Sequence, residues 1–165
     1  KPTRLAYSTH LTAPSTRSNA RHTNTGAADS SDCWRWVSEK TDLTIILTEG
    51  AKKAACLLSH GYPAIAQPGS YGGYSTVTSA IGQTTDRALL PELECIATPG
   101  RTIQICFDND TKLTTRQNVH TATRNLDQLL ENSGVKVSVM KWKRESKGID
   151  DIVSSEGAEA LHNVF

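Results

Sequence analysis

The sequence predicts a compact α/β fold, a sheet of about four mainly parallel strands flanked by helices. Three observations lead there. Short β-branched apolar runs alternate with segments of helical period, as in successive β-α-β units. The 165 residues suit one domain, and a chain of that size buries roughly two-thirds of its unfolded surface. Acidic residues recur directly after the apolar runs, at the edge where parallel sheets gather their ligands. The formal net charge of +1 excludes a global field for nucleic acid or membrane but leaves room for a local basic patch. No stretch approaches the roughly 20 apolar residues of a membrane span, and no signal peptide is visible at the start.

Residues 1–31 are rich in Ser, Thr, Asn and Ala and lack apolar periodicity, so they read as a flexible lead-in or linker. Arg4, Arg17, Arg21, His10 and His22 make the segment basic, which also suits a nucleic-acid-contacting arm. The chain opens on Lys1, which suggests a piece of a longer protein or a processed one. The folded domain is expected over 32–165. Cys33 to Lys40, with Trp34, Trp36 and Val37, reads as a short helix or turn that packs aromatics on the domain edge, with stacking on bases as the alternative. Leu43–Leu47 is a strand and leads through Thr48-Glu49-Gly50 into a helix with Ala54, Leu57 and Leu58 on one face and Gly61 at its end. Pro63–Ala66 is a second strand, and Gln67–Tyr74 is a loop whose Gly69, Gly72 and Gly73 allow a turn or close backbone approach. That loop is neither G-x-G-x-x-G nor a Walker loop.

Residues 75–98 carry no decisive pattern beyond a helical turn within Ala88–Leu93, and Pro99-Gly100 is a turn. The next strand begins at Thr102 and ends in Asp108-Asn109-Asp110. Val119, Ala122, Leu126, Leu129 and Leu130 then mark an amphipathic helix over 114–132, with Gly134 at its end. Val135–Trp142 alternates as a fourth strand, and a short helix with Ala158, Leu161 and Val164 on one face runs to Phe165. Cys33, Cys56, Cys95 and Cys106 form no C-x-x-C pair. Cys56 and Cys106 lie in apolar periodic segments, so the cysteines read as reduced thiols of a cytoplasmic protein rather than zinc ligands or disulfides.

Glu49, Asp108 with Asp110, and Asp150 with Asp151 each follow a strand, so a parallel sheet brings them to one edge. Two carboxylates about 4 Å apart repel by roughly 1 kcal/mol in water and about 4 kcal/mol at an effective dielectric near 20. A divalent cation reverses that repulsion, and Mg²⁺ is commonly held by one or two carboxylates together with substrate phosphates. Taken singly, Asp110 could equally close an Asx turn and Glu49 could be a charge at a helix start. Lys52, Lys53, Lys112, Arg116, Lys143, Arg144 and Lys147 flank the same edge and would make a local basic rim, or be ordinary solvated charges.

The runs Glu49–Ala54 (EGAKKA), Ala66–Gly69 (AQPG), Phe107–Lys112 (FDNDTK) and Lys147–Asp151 (KGIDD) resemble the TOPRIM domain, shared by bacterial-type primases, type IA and type II topoisomerases and certain nucleases. The nearest likeness is to a TOPRIM-like family of replication primase-helicase proteins of cyanobacteria, plasmids and phages, over Trp34–Phe165. That resemblance implies a compact, Rossmann-like sheet and metal-dependent nucleotidyl transfer for primer synthesis in DNA replication. It implies Glu49 as general acid/base, with Lys53 beside it. It implies Asp108, Asp110, Asp150 and Glu49 around Mg²⁺ or Mn²⁺. Lys52, Lys53, Lys112, Arg116, Lys147, Gly69 and Gly72 would meet single-stranded DNA or nucleoside triphosphates, and a helicase or other domains of a longer protein would be the partners. Two positions depart from the primase pattern. Lys53 stands where those primases have an acid and type IA topoisomerases a lysine, and Gly148 stands where primases tend to have an acid. Both changes weaken a multi-metal site, and Lys53 places positive charge where a phosphate could be held. A TOPRIM nuclease and a non-catalytic metal- and nucleic-acid-binding module remain the alternatives. Strand-passing topoisomerase activity does not fit so short a chain.

Overall fold

The computed structural model describes residues 30–142 and 148–163. The lead-in as far as residue 29, the basic residues Lys143, Arg144 and Lys147, and Val164 lie outside the described residues. The first helix, α1, is Ser30–Glu39, followed by strand β1 (Ile45–Glu49), helix α2 (Ala51–Ser59) and strand β2 (Ala64–Gln67). A hairpin of β3 (Tyr74–Thr78) and β4 (Thr84–Leu89) and a short helix α3 (Pro91–Glu94) come next. Strand β5 (Thr102–Cys106), helix α4 (Leu113–Asn132), strand β6 (Lys136–Val139), helix α5 (Ile149–Glu156) and a 3₁₀ helix (Ala158–Asn163) complete the order.

The four strands β2-β1-β5-β6 form one sheet, and every pair is parallel, as the alternation of strand and helix patterns requires. The chain moves outward from β1 through α2 to β2, then returns to the far side of β1 and moves outward from β5 through α4 to β6. The winding direction therefore reverses between β1 and β5. In open α/β sheets that reversal leaves a crevice beyond the carboxyl ends of the two central strands.

Strand alternation divides the core in two. Ile45, Leu47, Ile103, Ile105 and Phe107 pack with Leu126 and Leu130 of α4 on one face. Ile46, Ala64, Ala66 and Cys106 pack with Leu57 of α2 and Ile149 and Ile152 of α5 on the other. Helices α2 and α4 end alike. After α2, Gly61 (φ 83°) donates to Leu58 and Tyr62 to Leu57; after α4, Gly134 (φ 81°) donates to Glu131 and Val135 to Leu130. These paired bonds satisfy carbonyls that the helix cannot, and the glycine accepts the left-handed turn that makes them possible.

Three features differ from the sequence expectation. The first strand extends through Glu49 instead of ending at Leu47, because Glu49 pairs with Gln67 of β2. The fourth strand is only Lys136–Val139 and stands at the sheet edge. The segment 75–98 contains an antiparallel hairpin in which Ser75–Thr78 are exposed, so no alternation of apolar residues announces it. Its anchors are Tyr74 and Leu89, which reach the α4 side of the core. Tyr74 also accepts a 3.0 Å bond from the Asn125 side chain of α4. Of the N-terminal aromatics, Trp36 is exposed, whereas Val37 is 1% exposed and enters the core.

Candidate active site

The carboxyl ends of β1 and β5 bring Glu49 and Asp108 to the crevice where the winding reverses. Helix α2 starts directly after Glu49, so its first turn carries Lys52 and Lys53 over the same edge. Lys53 Nζ lies 3.0 Å from Asp108 Oδ1, with both side chains mostly buried. Lys52 Nζ lies 3.0 Å from Asp150 Oδ2, where the lysine is 84% exposed and the aspartate nearly buried. Asp150 belongs to the first turn of α5, and Asp151 in the same turn accepts a 3.0 Å bond from the Gly148 N–H. Asp151 thus holds the start of the helix and leaves Asp150 to face α2.

Gly148 explains how these groups come so close. A β-carbon at this position would stand 2.6 Å from Lys53 Cε, 2.7 Å from Asp150 Oδ1 and 3.4 Å from Asp108 Oδ1. Two carboxylates and one ammonium chain therefore surround a single point that only a glycine leaves empty. The Lys53 ammonium feels opposing effects. Burial pushes its pKa down, while the bond to Asp108 and the negative charges of Asp108, Asp150 and Glu49 push it up; the carboxylates win and the pKa is raised. Lys53 is thus a fixed positive charge among three acids.

The remaining acids are arranged differently. Asp110 Oδ1 accepts a 2.9 Å bond from the Lys112 N–H, an Asx turn that leads into α4. The Asn109 side chain donates to the Trp142 carbonyl at 3.4 Å and ties the acidic loop to the segment after β6. Among the described residues no group of three or more His, Cys, Asp or Glu side chains is placed to hold a metal. The donors nevertheless suit a hard divalent cation in kind. The oxygens of Asp108 and Asp150 share one neighbourhood, and the group that a cation would displace from it is the Lys53 ammonium.

The glycine loop after β2 borders the end of β1, where the Gly50 N–H donates to the Gln67 carbonyl at 3.1 Å. Gln67 Nε2 donates to Gly69 and Ser70 carbonyls at 3.1 and 3.0 Å, and so folds the loop over its own side chain. Gly72 has no space for a β-carbon, which would lie 2.7 Å from Pro68 Cδ and 2.8 Å from the Pro68 carbonyl oxygen. Gly69 adopts φ 77°. The two glycines that sequence reasoning offered for nucleotide contact are thus also required by the loop itself. Lys112 and Arg116 are exposed at the start of α4, and Lys147 lies outside the described residues.

Residues 33–160 match a family described as Domain of unknown function (DUF3854). The chain belongs to the DUF3854 family. It is 46% identical over 134 residues, 80% of its length, to an uncharacterized protein of Picosynechococcus sp. (strain ATCC 27264 / PCC 7002 / PR-6). The match spans 13% of that relative, so this DUF3854 domain corresponds to a small part of a much longer chain. No solved structure matches it. Among the described residues of this DUF3854 chain no helix is long and apolar enough to cross a membrane.

Two residues of this DUF3854 domain matter more than their sequence context indicated. Gly148 stands out in the sequence only as a departure from the primase pattern, and the folded chain brings it against Lys53. Arg101, which follows the Pro99-Gly100 turn and drew no reading from the sequence, is fully buried. Its guanidinium donates to the Val37 and Ser38 carbonyls at 2.9 Å each and to the Leu43 carbonyl at 3.3 Å. A sequence signal existed for Arg101 only in its position immediately before a buried strand.

Proposed function

We propose that this chain is a TOPRIM-like catalytic domain of a DNA primase of the primase-helicase type, from a plasmid, phage or other mobile element, which joins nucleotides with Mg²⁺ or Mn²⁺. The observation that carries the reading is the grouping of Asp108, Asp150 and Lys53 around Gly148, within electrostatic reach of Glu49, at the crevice of a parallel sheet. Phosphoryl transfer asks a protein mainly for positioning and charge neutralisation. Asp108 and Asp150 would hold the divalent ion, with Asp110 as the further carboxylate of the loop. When bound, that ion supplies positive charge to the phosphate oxygens and makes a hydroxyl more acidic. Glu49 would accept the proton of the attacking 3′-hydroxyl as its oxygen bonds to the α-phosphorus of the incoming nucleoside triphosphate. The bond from that phosphorus to the bridging oxygen breaks, and pyrophosphate leaves with the electron pair. Lys53 would offset the negative charge on the transferring group, and Lys52, Lys112 and Arg116 would hold the strand. A helicase domain of the longer protein is the expected companion.

One observation favours a second reading. Both carboxylates are already matched by lysines, and no three acids are placed to hold a metal among the described residues. A binding module that holds one metal and a nucleic-acid phosphate would need no more than this. A primer-synthesis assay on single-stranded DNA with labelled nucleotides and Mg²⁺ or Mn²⁺ tests the choice, with Glu49→Gln as control and a labelled strand in the same tubes. Primers from the wild type alone support the polymerising reading. Cleavage of the strand replaces it with a nuclease, and neither product, with binding retained, replaces it with the binding module.

A further inference from the structure

A groove of about 610 Å³ runs between the first half of α4 and the end of β6, and Asp108 and Asn109 are part of its lining. Its volume lies within the roughly 300–1,000 Å³ of ligand sites. One wall is α4 from Leu113 to Thr123, and the other is Val139 to Trp142, with Phe107 also lining it. Leu113 and Val139, 66% and 43% exposed, are two of the large apolar side chains that the described surface leaves open, and both line this groove. The charged groups that line it are Arg116, Lys141 and Asp108, and His120 lines it as well. Arg116 and Lys141 are exposed, and among the described residues neither makes an ion pair.

We infer that this groove binds single-stranded nucleic acid and guides it to the acidic edge; the inference rests on reading that edge as a nucleic-acid site. Apolar walls flanked by cations suit a chain whose bases expose apolar faces and whose backbone is anionic. Length favours a strand over a free nucleotide. The α4 wall runs from Leu113 to Thr123, ten steps of 1.5 Å or about 15 Å, against about 3.4 Å of rise per stacked nucleotide. The Asn109 bond to the Trp142 carbonyl fixes one wall of the groove to the loop that carries Asp108, so strand and carboxylates keep a set relation.

The test is fluorescence anisotropy of a labelled twelve-nucleotide oligo(dT) with the 165-residue chain in EDTA and without nucleotides, so that neither metal nor turnover enters. Arg116→Gln with Lys141→Gln should weaken binding about tenfold and flatten the dependence of log K on log salt by about 1.4, the loss of two phosphate contacts to a single strand. Leu113→Ser, an exposed position that the fold does not need, should weaken binding about threefold with the salt slope unchanged. Wild-type affinity in all three substitutions with unchanged Tm overturns the inference, as does a wild type that does not bind the strand. Displacement by ATP at concentrations equal to those of oligo(dT) would assign the groove to a mononucleotide and overturn it too. A chain that makes no primers but binds oligo(dT) through these residues defeats the polymerase reading and leaves the groove standing.

Discussion

Strand β5 has a buried or half-buried cation at each end, and the two are treated in opposite ways. At its start Arg101 is enclosed and surrounded by neutral acceptors, the carbonyls of Val37, Ser38 and Leu43 and the Thr98 hydroxyl. Val37 and Ser38 lie in the last turn of α1, where carbonyls lack helical partners and the helix dipole favours positive charge. At its far end Lys53 of α2 meets Asp108, with Asp150 and Glu49 close by, at an edge that solvent reaches. A planar guanidinium satisfied by backbone joins helix to sheet and has no free chemistry. A compact ammonium among carboxylates can be exchanged for another cation, because the negative charge persists when it leaves. The first arrangement is a staple, and the second is the candidate site.

The sharpest way to separate them is to remove each cation. Arg101→Met leaves several buried carbonyls without donors, and each costs about 1–3 kcal/mol. We expect a loss of about 3–5 kcal/mol in urea unfolding with affinity for Mg²⁺ unchanged, and Arg101→Lys should not restore it, since one ammonium lacks the fork. A loss below about 1 kcal/mol would refute the staple. Between the two cations, Cys106 supplies a second effect on stability. Burial, the Asp108 charge and only a partly compensating Lys53 push its thiol up to about 12, from 9.0. Above pH 9 the unfolded thiol loses its proton and the folded one keeps it, so the unfolded state binds fewer protons and stability falls as pH rises. From pH 9 to 10.5 the loss is about 2 kcal/mol, and Cys106→Ala should remove that slope. An equal slope in both proteins would place the thiol in contact with water.

The other end of the comparison is broken with Lys53→Met. The proposed divalent ion no longer competes with an ammonium beside Asp108, and we expect affinity for Mg²⁺ or Mn²⁺ to rise about tenfold, about 1.4 kcal/mol. Primer synthesis should fall, since the charge on the transferring group loses its partner. Calorimetric titration reads the first effect, and unchanged metal affinity would return Lys53 to a purely structural ion pair. Asp108→Asn should weaken the same titration markedly.

The contrast also marks where sequence reading works. The parallel sheet was legible because β-branched runs and helical stripes differ in period, and the acids were legible because strand ends carry them to a common edge. Glu49 and Asp108 needed only the chain order. Arg101 was not legible, since an arginine beside a Pro-Gly turn looks the same whether its partners are water or the carbonyls of a helix some 60 residues away. The β3–β4 hairpin escaped because Ser75, Thr76, Val77 and Thr78 all face solvent and no side of the ribbon had to be apolar. Asp110 could be an Asx turn or a ligand on sequence grounds, and the Lys112 N–H bond to its Oδ1 shows the turn.

The finest test concerns the spacing at the open end. Gly148→Ala adds one methyl where Lys53 Cε and Asp150 Oδ1 stand at 2.6 and 2.7 Å from the new carbon. The lysine atom is near the tip of a long side chain and can swing away, and Gly148 already has φ −130°, which alanine adopts freely. The fold should therefore lose less than about 1 kcal/mol, a Tm change of about 2–4 °C at most for a chain of this size. The 3.0 Å contact of Lys53 with Asp108 cannot survive that swing. Metal affinity in Gly148→Ala should then move in the same direction as in Lys53→Met, and by less, because the displaced ammonium stays nearby. In the double variant the alanine should add only what it does by pressing on Asp150 Oδ1, since the ammonium through which it otherwise acts is gone. Additive changes in that cycle would mean that Gly148 acts on the carboxylates directly, and the glycine would then belong to the start of α5 rather than to the ammonium.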